Sequence, residues 1–152
     1  MERVALTTAE IAFLLSIKDG VGPQRARARL RLTGEDQGAA VVRGGLSSLV
    51  VRGMAVGDST NVTLTGPLAT VLRGLVEPIM WVEISALTGE AVDAAHLYVH
   101  ANGMFLLSPR AYGTFVVQGV RRGVAPIELL ADIARSVLPT EVGDRDAAVG
   151  DP

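Results

Sequence analysis

The chain opens on Leu6-Thr7-Thr8-Ala9-Glu10-Ile11, a capping residue followed three positions on by an acid and bracketed by two apolar residues. Thr7 and Glu10 are spaced to exchange hydrogen bonds as a capping box, and Leu6 and Ile11 stand at the staple positions. Ile11, Leu14 and Leu15 then share a helical face, with Lys18 near the negative C-terminal end. Gly20 and the Gly22-Pro23 pair predict where this helix stops. The period then changes. Arg25 to Leu32 alternates strictly, which predicts a strand with Arg25, Arg27, Arg29 and Arg31 on one face and Ala26, Ala28, Leu30 and Leu32 on the other. As a helix the same segment would be basic nearly all round. Thr33 with Asp36 predicts the cap of a second helix, whose inner face is Val42, Leu46, Leu49 and Val50. Its internal Gly44-Gly45 pair marks a kink or a close helix crossing, and Gly53 supplies the C-terminal stop. Gly57-Asp58-Ser59 is a turn into a short strand at Asn61 to Leu64. Gly66-Pro67 opens a third helix with Leu68, Leu72, Leu75 and Val76 inward, and Glu77-Pro78 ends it.

The second half reads as strands. Ile79 to Ile84 is one, and Ala95 to His100 pairs with Met104 to Leu107 across Asn102-Gly103, a strong hairpin signal. Gly113 to Val120 is another. Pro126 starts a last helix with Ile127, Leu130, Ile133 and Val137 at helical spacing, ended by Pro139. Strands follow one another without βαβ alternation, so the pattern predicts an α+β fold. An antiparallel sheet packs with helices, and a winged-helix-like first half leads into a β meander and a C-terminal helix.

Composition narrows this to one domain. The 152 residues are 49% hydrophobic, enough for a core, and hold no cysteine. That removes disulfides, thiolate metal sites and cysteine nucleophiles. No apolar run approaches the ~18–20 residues of a membrane span, and the N-terminus has no targeting pattern, so a cytoplasmic protein is expected. The net charge of −2 is uneven. Thr140 to Pro152 holds four acids and one arginine, and reads as a disordered acidic tail on a 1–139 domain. The remaining body is close to neutral, so nucleic acid is a disfavoured partner.

Little in the chain suggests catalysis. There is no nucleophile elbow, no Walker loop, no His-Glu-x-x-His and no carboxylate pair, so no catalytic residue, metal or cofactor is assigned. His96, Tyr98 and His100 would share a strand face. Two histidines without a third ligand do not make a zinc site, and they read as the solvent side of a half-buried sheet. The four aligned arginines either grip a partner's carboxylates or phosphates, or guard an edge strand against sheet-to-sheet association. The chain has only six aromatic residues. Most of the bulky side chains on the predicted sheet are expected in the core; those that face outward among Trp81, Phe105 and Tyr112, with Arg25, Arg27, Arg29, Arg31 and Arg110, are the candidate partner-binding residues, because Trp, Tyr and Arg dominate interfaces. A DNA-reading winged helix would need basic residues on its second helix, which offers only Arg43 and Arg52. A small-ligand sensor using the His96–Tyr98–His100 face is a further alternative.

The run Leu46-Ser47-Ser48-Leu49-Val50-Val51-Arg52-Gly53-Met54 continues into a polar turn, Val62-x-Leu64, the Leu68 to Val76 helix, Pro78 and the Trp81-Val82-Glu83 strand. With the Leu6-Thr7-x-x-Glu10 opening, it resembles the N-terminal half of the EspG family, cytosolic chaperones of actinobacterial type VII (ESX) secretion that bind the tips of PE–PPE heterodimers. The arginine-over-lysine bias and abundant Ala, Gly and Val fit a GC-rich actinobacterial source. The resemblance implies a non-catalytic, chaperone-like protein-binding domain. EspG proteins carry two similar α+β halves and this chain holds one, so it also implies a homodimer that rebuilds the second half.

Overall fold

A computed structural model describes residues 3–58, 61–88, 91–101, 103–120, 123 and 125–137, with side chains at 86–88, 91–93, 126 and 133–137 left aside. The acidic segment from Thr140, Pro139 and Asn102 lie outside the described residues. The elements run β1 (Val4–Thr7), α1 (Thr8–Ser16), α2 (Val21–Arg29), α3 (Ala39–Val51), β2 (Ala55–Gly57), β3 (Val62–Leu64), α4 (Pro67–Val76), β4 (Met80–Thr88), β5 (Ala91–His100), β6 (Gly103–Arg110), β7 (Thr114–Gly119) and α5 (Pro126–Val137). The fold is α+β. β1, β7, β6, β5 and β4 form one antiparallel five-stranded sheet in that order, and β2 and β3 form a separate hairpin.

The capping box forms as the spacing predicts. The Glu10 amide donates to Thr7 Oγ1 (3.2 Å), and the Thr7 amide donates to Glu10 Oε2 (2.8 Å). Helix α1 is then buried along Glu10 to Leu15 without a break, so it is a central helix rather than an amphipathic surface one. It crosses α3 at Gly45, where a Cβ would stand 2.0 Å from the Ala9 carbonyl oxygen. The glycine pair therefore marks a close crossing, and Gly44 beside it has open space.

Two predictions for the segment after α1 are overturned. Gly20 to Pro23 does not end a helix but starts one. Gly20 is the N-cap of α2, and Pro23 sits in the first turn, where its missing N–H costs nothing. The Arg25 to Leu32 segment is accordingly helical, not a strand. Pro23, Ala26 and Leu30 recur at helical spacing and are the buried positions, which outweighs the period-two alternation of arginine. Thr33 and Asp36 do exchange hydrogen bonds, but around a 3-10 turn at Glu35–Gln37, and α3 starts after Gly38. Strand β1, unforeseen in the sequence pattern, pairs with β7 at the far edge of the sheet.

One sheet face carries Leu6, Phe115, Val117, Leu107, Phe105, Tyr98 and Trp81 against α1 and α4, and these form the core. Helix α4 lies close on this face, since a Cβ at Gly74 would meet the Phe105 ring at 2.4 Å. The opposite face carries Val82, Leu97 and Leu106 in a row, and α5 packs against β4. His100 pairs with Gly103, so the hairpin turn is centred one residue before the Asn-Gly pair.

Candidate functional site

The buried ion pair between Glu10 and Arg52 is structural. The Glu10 side chain is fully buried and takes both Arg52 Nη1 (2.7 and 2.9 Å) and Ser48 Oγ (2.7 Å), while Arg52 Nη2 donates to the Ala5 carbonyl. Burial alone would raise the Glu10 pKa. Hydrogen bonds from Thr7, Ser48 and Arg52, with the Arg52 charge, outweigh burial and hold it below the usual carboxylate value. The Arg52-Gly53 pair thus ties α3 to the start of α1, with Gly53 at φ +68 closing α3 in a Schellman turn.

The surface that gathers the candidate residues is where α2 meets the β4 side of the sheet. Helix α2 also ends in a Schellman turn. The Arg31 amide donates to the Ala28 carbonyl and the Leu32 amide to the Arg27 carbonyl. Here, however, the left-handed position holds Arg31 (φ +56) rather than glycine. The cost of that conformation for a side-chain-bearing residue is about 1–2 kcal/mol. The Arg31 side chain leaves the turn largely exposed and pairs with Glu83 Oε1 at 3.1 Å, while Arg29 lies 4.9 Å over the Trp81 ring. Arg29, Arg31 and Trp81 are therefore brought together. Arg27 is turned the other way, donating to the Leu15 carbonyl (2.7 Å), and Arg25 is exposed apart from them.

Phe105 is not a partner-binding residue: it is buried in the core, 5.2 Å from the Tyr98 ring. Arg110 and Tyr112 sit at the β6–β7 turn. Tyr112 is fully exposed and, like Arg31, has a left-handed backbone (φ +59); among the described residues these are the only two non-glycines that do.

His96, Tyr98 and His100 do share a face, but it is the buried one. Their relative exposures are 4%, 0% and 5%, so the solvent-face reading is wrong. Its reason is that α2 and α4 cover this end of the sheet, and rings stack where polar groups were expected to be wet. Trp81 and His96 stack at 6.1 Å, and the Tyr98 ring lies tilted to His96 at 6.5 Å. Burial lowers the pKa of both histidines and pushes the Tyr98 hydroxyl far above the usual phenol value. The nearby Glu83 charge partly offsets the effect on His96. His96 Nδ1 stands 3.8 Å from Glu83 Oε2, too far for a hydrogen bond. It is without a partner, as are Trp81 Nε1 and the Tyr98 hydroxyl, which adjoin each other without bonding geometry. Among the described residues no group of three His, Asp or Glu could hold a metal.

The sheet forks beside this cluster. Pairing of β5 with β6 ends at His96 and Leu107; the register would bring Ala95 opposite Ser108 and then Ala94 opposite Pro109, which has no N–H to give. Beyond that row, β6, β7 and β1 continue on one side. On the other, β4 and β5 continue as a two-stranded arm, from the Ile84–Ala95 pair to the Thr88–Ala91 pair. β4 is also the edge strand over its nine residues, and among the described residues no backbone hydrogen bond reaches its outer side. A cavity of about 190 Å³ opens in the fork under the last turn of α2. The Ser-Pro at 108–109 inside a strand pattern is the one sequence signal for it, and the pairing role of Glu83 has none.

No family model matches the chain, and neither a curated protein nor a solved structure was found to be similar to it. Among the described residues no helix is long and apolar enough to cross a membrane.

Proposed function

We propose that the chain is a non-catalytic protein-binding domain that acts as a cytoplasmic chaperone for type VII secretion substrates of the PE–PPE kind, and that it does so as a homodimer. The observation that carries protein binding is the open β4 edge and its two-stranded arm. An edge strand of nine residues normally carries charges or a proline that stop other chains from pairing with it. β4 has Glu83 alone, and Arg31 already pairs with that charge. A two-stranded arm is also marginal by itself. A partner strand added along β4 satisfies its free main-chain groups, with Trp81 and Arg29 as anchors beside it. The left-handed Arg31 and Tyr112 fit the same reading, because strained exposed side chains persist where they are used. The chaperone class and the dimer rest on the EspG resemblance. A DNA-reading role has less support, since α3 exposes Val50 and Val51 with Arg43 as its one basic residue.

The test is size-exclusion chromatography with light scattering on the full chain, alone and with a purified PE–PPE heterodimer. The expected result is a dimer that co-elutes with the heterodimer. Ser85→Lys, which places a protecting lysine at an exposed position of the edge strand, removes co-elution while circular dichroism stays unchanged. A monomer that never co-elutes, or co-elution unaffected by S85K, refutes the reading.

A further inference from the structure

We propose that the fork beneath α2 is a binding site for a small carboxylate with an apolar body. This does not depend on the protein-binding reading. The cavity is about 190 Å³, somewhat larger than the ~150 Å³ cavity known to take up benzene. Leu30, Pro109 and Phe115 give it apolar walls, and Arg29, Arg31, Glu83 and His96 give it polar ones. Those polar groups are short of acceptors. The Arg29 guanidinium has the Trp81 ring beneath it but no hydrogen-bond acceptor or ion pair among the described residues. His96, 4% exposed, has Nδ1 unpartnered. The acceptor present is Glu83, whose Oε1 already receives Arg31 at 3.1 Å and Ser85 Oγ at 2.9 Å. An occupant must therefore accept hydrogen bonds and carry negative charge.

One charge is the right number. Two arginines against one glutamate, with His96 held neutral by burial, leave a single positive charge to balance. A dianion such as phosphate would face Glu83 and the apolar walls. A carboxylate matches the planar fork of a guanidinium, and a ring or branched chain fills the space against Phe115 and Pro109. The site also accounts for a detail the fold leaves over. Helix α3 closes on Gly53, whereas α2 closes on a strained Arg31 whose side chain reaches this cavity's rim.

Trp81 is the single tryptophan and stacks on His96, so its fluorescence reports the site directly. The full chain is titrated with sodium benzoate at ionic strength held constant with sodium chloride. Benzyl alcohol serves as the uncharged isostere and acetate as the carboxylate without a body. Benzoate is expected to change Trp81 emission saturably, with the roughly millimolar affinity open to so small a ligand, and to raise the melting temperature. Benzyl alcohol and acetate bind at least tenfold more weakly. Arg29→Gln, at a half-buried position of α2, weakens benzoate at least tenfold. If R29Q alters the Trp81 baseline, the loss of the benzoate-dependent melting shift gives the same answer. No saturable change up to about 20 mM benzoate, equal binding of benzyl alcohol, or undiminished binding by R29Q overturns the proposal.

Discussion

Replacing Gly45 by alanine adds one methyl group at the place where α1 and α3 cross. An alanine Cβ there would stand 2.0 Å from the Ala9 carbonyl oxygen and 2.5 Å from its carbon, against an ordinary contact that starts near 3.4 Å. The obstacle is backbone, so no side chain can rotate away, and the two helices must separate by more than an ångström. That separation also pulls Ser48 and Arg52, on the same helix, away from the buried Glu10 carboxylate. Overpacking costs ~1–3 kcal/mol, and a clash this deep against backbone belongs at the top of that range, about 3 kcal/mol, of which alanine's better helix propensity returns about 1 kcal/mol. The expected net loss is about 2 kcal/mol. Gly44 is the internal control. It is exposed, a methyl group there would meet nothing within 4 Å, and its replacement by alanine should stabilise by about 0.5–1 kcal/mol through propensity alone. Urea unfolding followed by circular dichroism measures both. For a chain this long each kcal/mol also moves the melting temperature by about 2–4 °C. If G45A and G44A shift stability in the same direction, or G45A lies within ~0.5 kcal/mol of wild type, the close-crossing argument fails.

Three further expectations follow from single residues. Arg52→Met leaves the fully buried Glu10 without its cation and should cost about 2–3 kcal/mol, less than a wholly buried pair because Arg52 is 38% exposed. Combined with Glu10→Gln in a double-mutant cycle, the two losses should be clearly less than additive, and additive losses would refute the pairing. Arg31→Gly should be more stable than Arg31→Ala by about 1 kcal/mol, since both lose the Glu83 contact but only glycine relieves the left-handed backbone; the reverse order in thermal melts would rule that out. Stability should fall with acid in two steps. His96 and His100 are held below their usual 6.5 by burial, so the unfolded chain takes up protons first and stability declines as pH drops below about 6.5. Glu10 is held below its usual 4.5, so its contribution is full above about pH 4.5 and is lost as pH falls through its lower folded value. His96→Phe should flatten the upper step in melts from about pH 8 to pH 3, and an unchanged upper step would show that His96 is not its source.

The parts of the fold legible in the sequence are those set by neighbours in the chain. The Thr7–Glu10 capping box, the Gly53 stop, the Pro67 start of α4, the Pro126 start of α5 and the β4–β5–β6–β7 meander all depend on contacts within a few residues or on simple periodicity. The α2 segment reads as a strand because its arginines alternate while its three buried positions are spread over eight residues, and only packing on the core weighs those three more heavily. Of the candidate site, the residue types are legible and their grouping is not. Arg29, Arg31 and Trp81 meet because a helix, not a strand, carries the arginines over β4, and Phe105 drops out because its strand face is the covered one.

By itself the sequence determined the starts of α1, α4 and α5, the stop of α3, the antiparallel second half and the α+β class, since capping, proline and glycine act locally and alternation follows from the geometry of a strand. The tertiary structure alone decided which of two adjacent glycines is irreplaceable, which sheet face is dry, and that the sheet forks at Pro109. Each of these depends on which surfaces meet across the chain, and burial, backbone approach and the loss of a cross-strand hydrogen bond have no expression until they do.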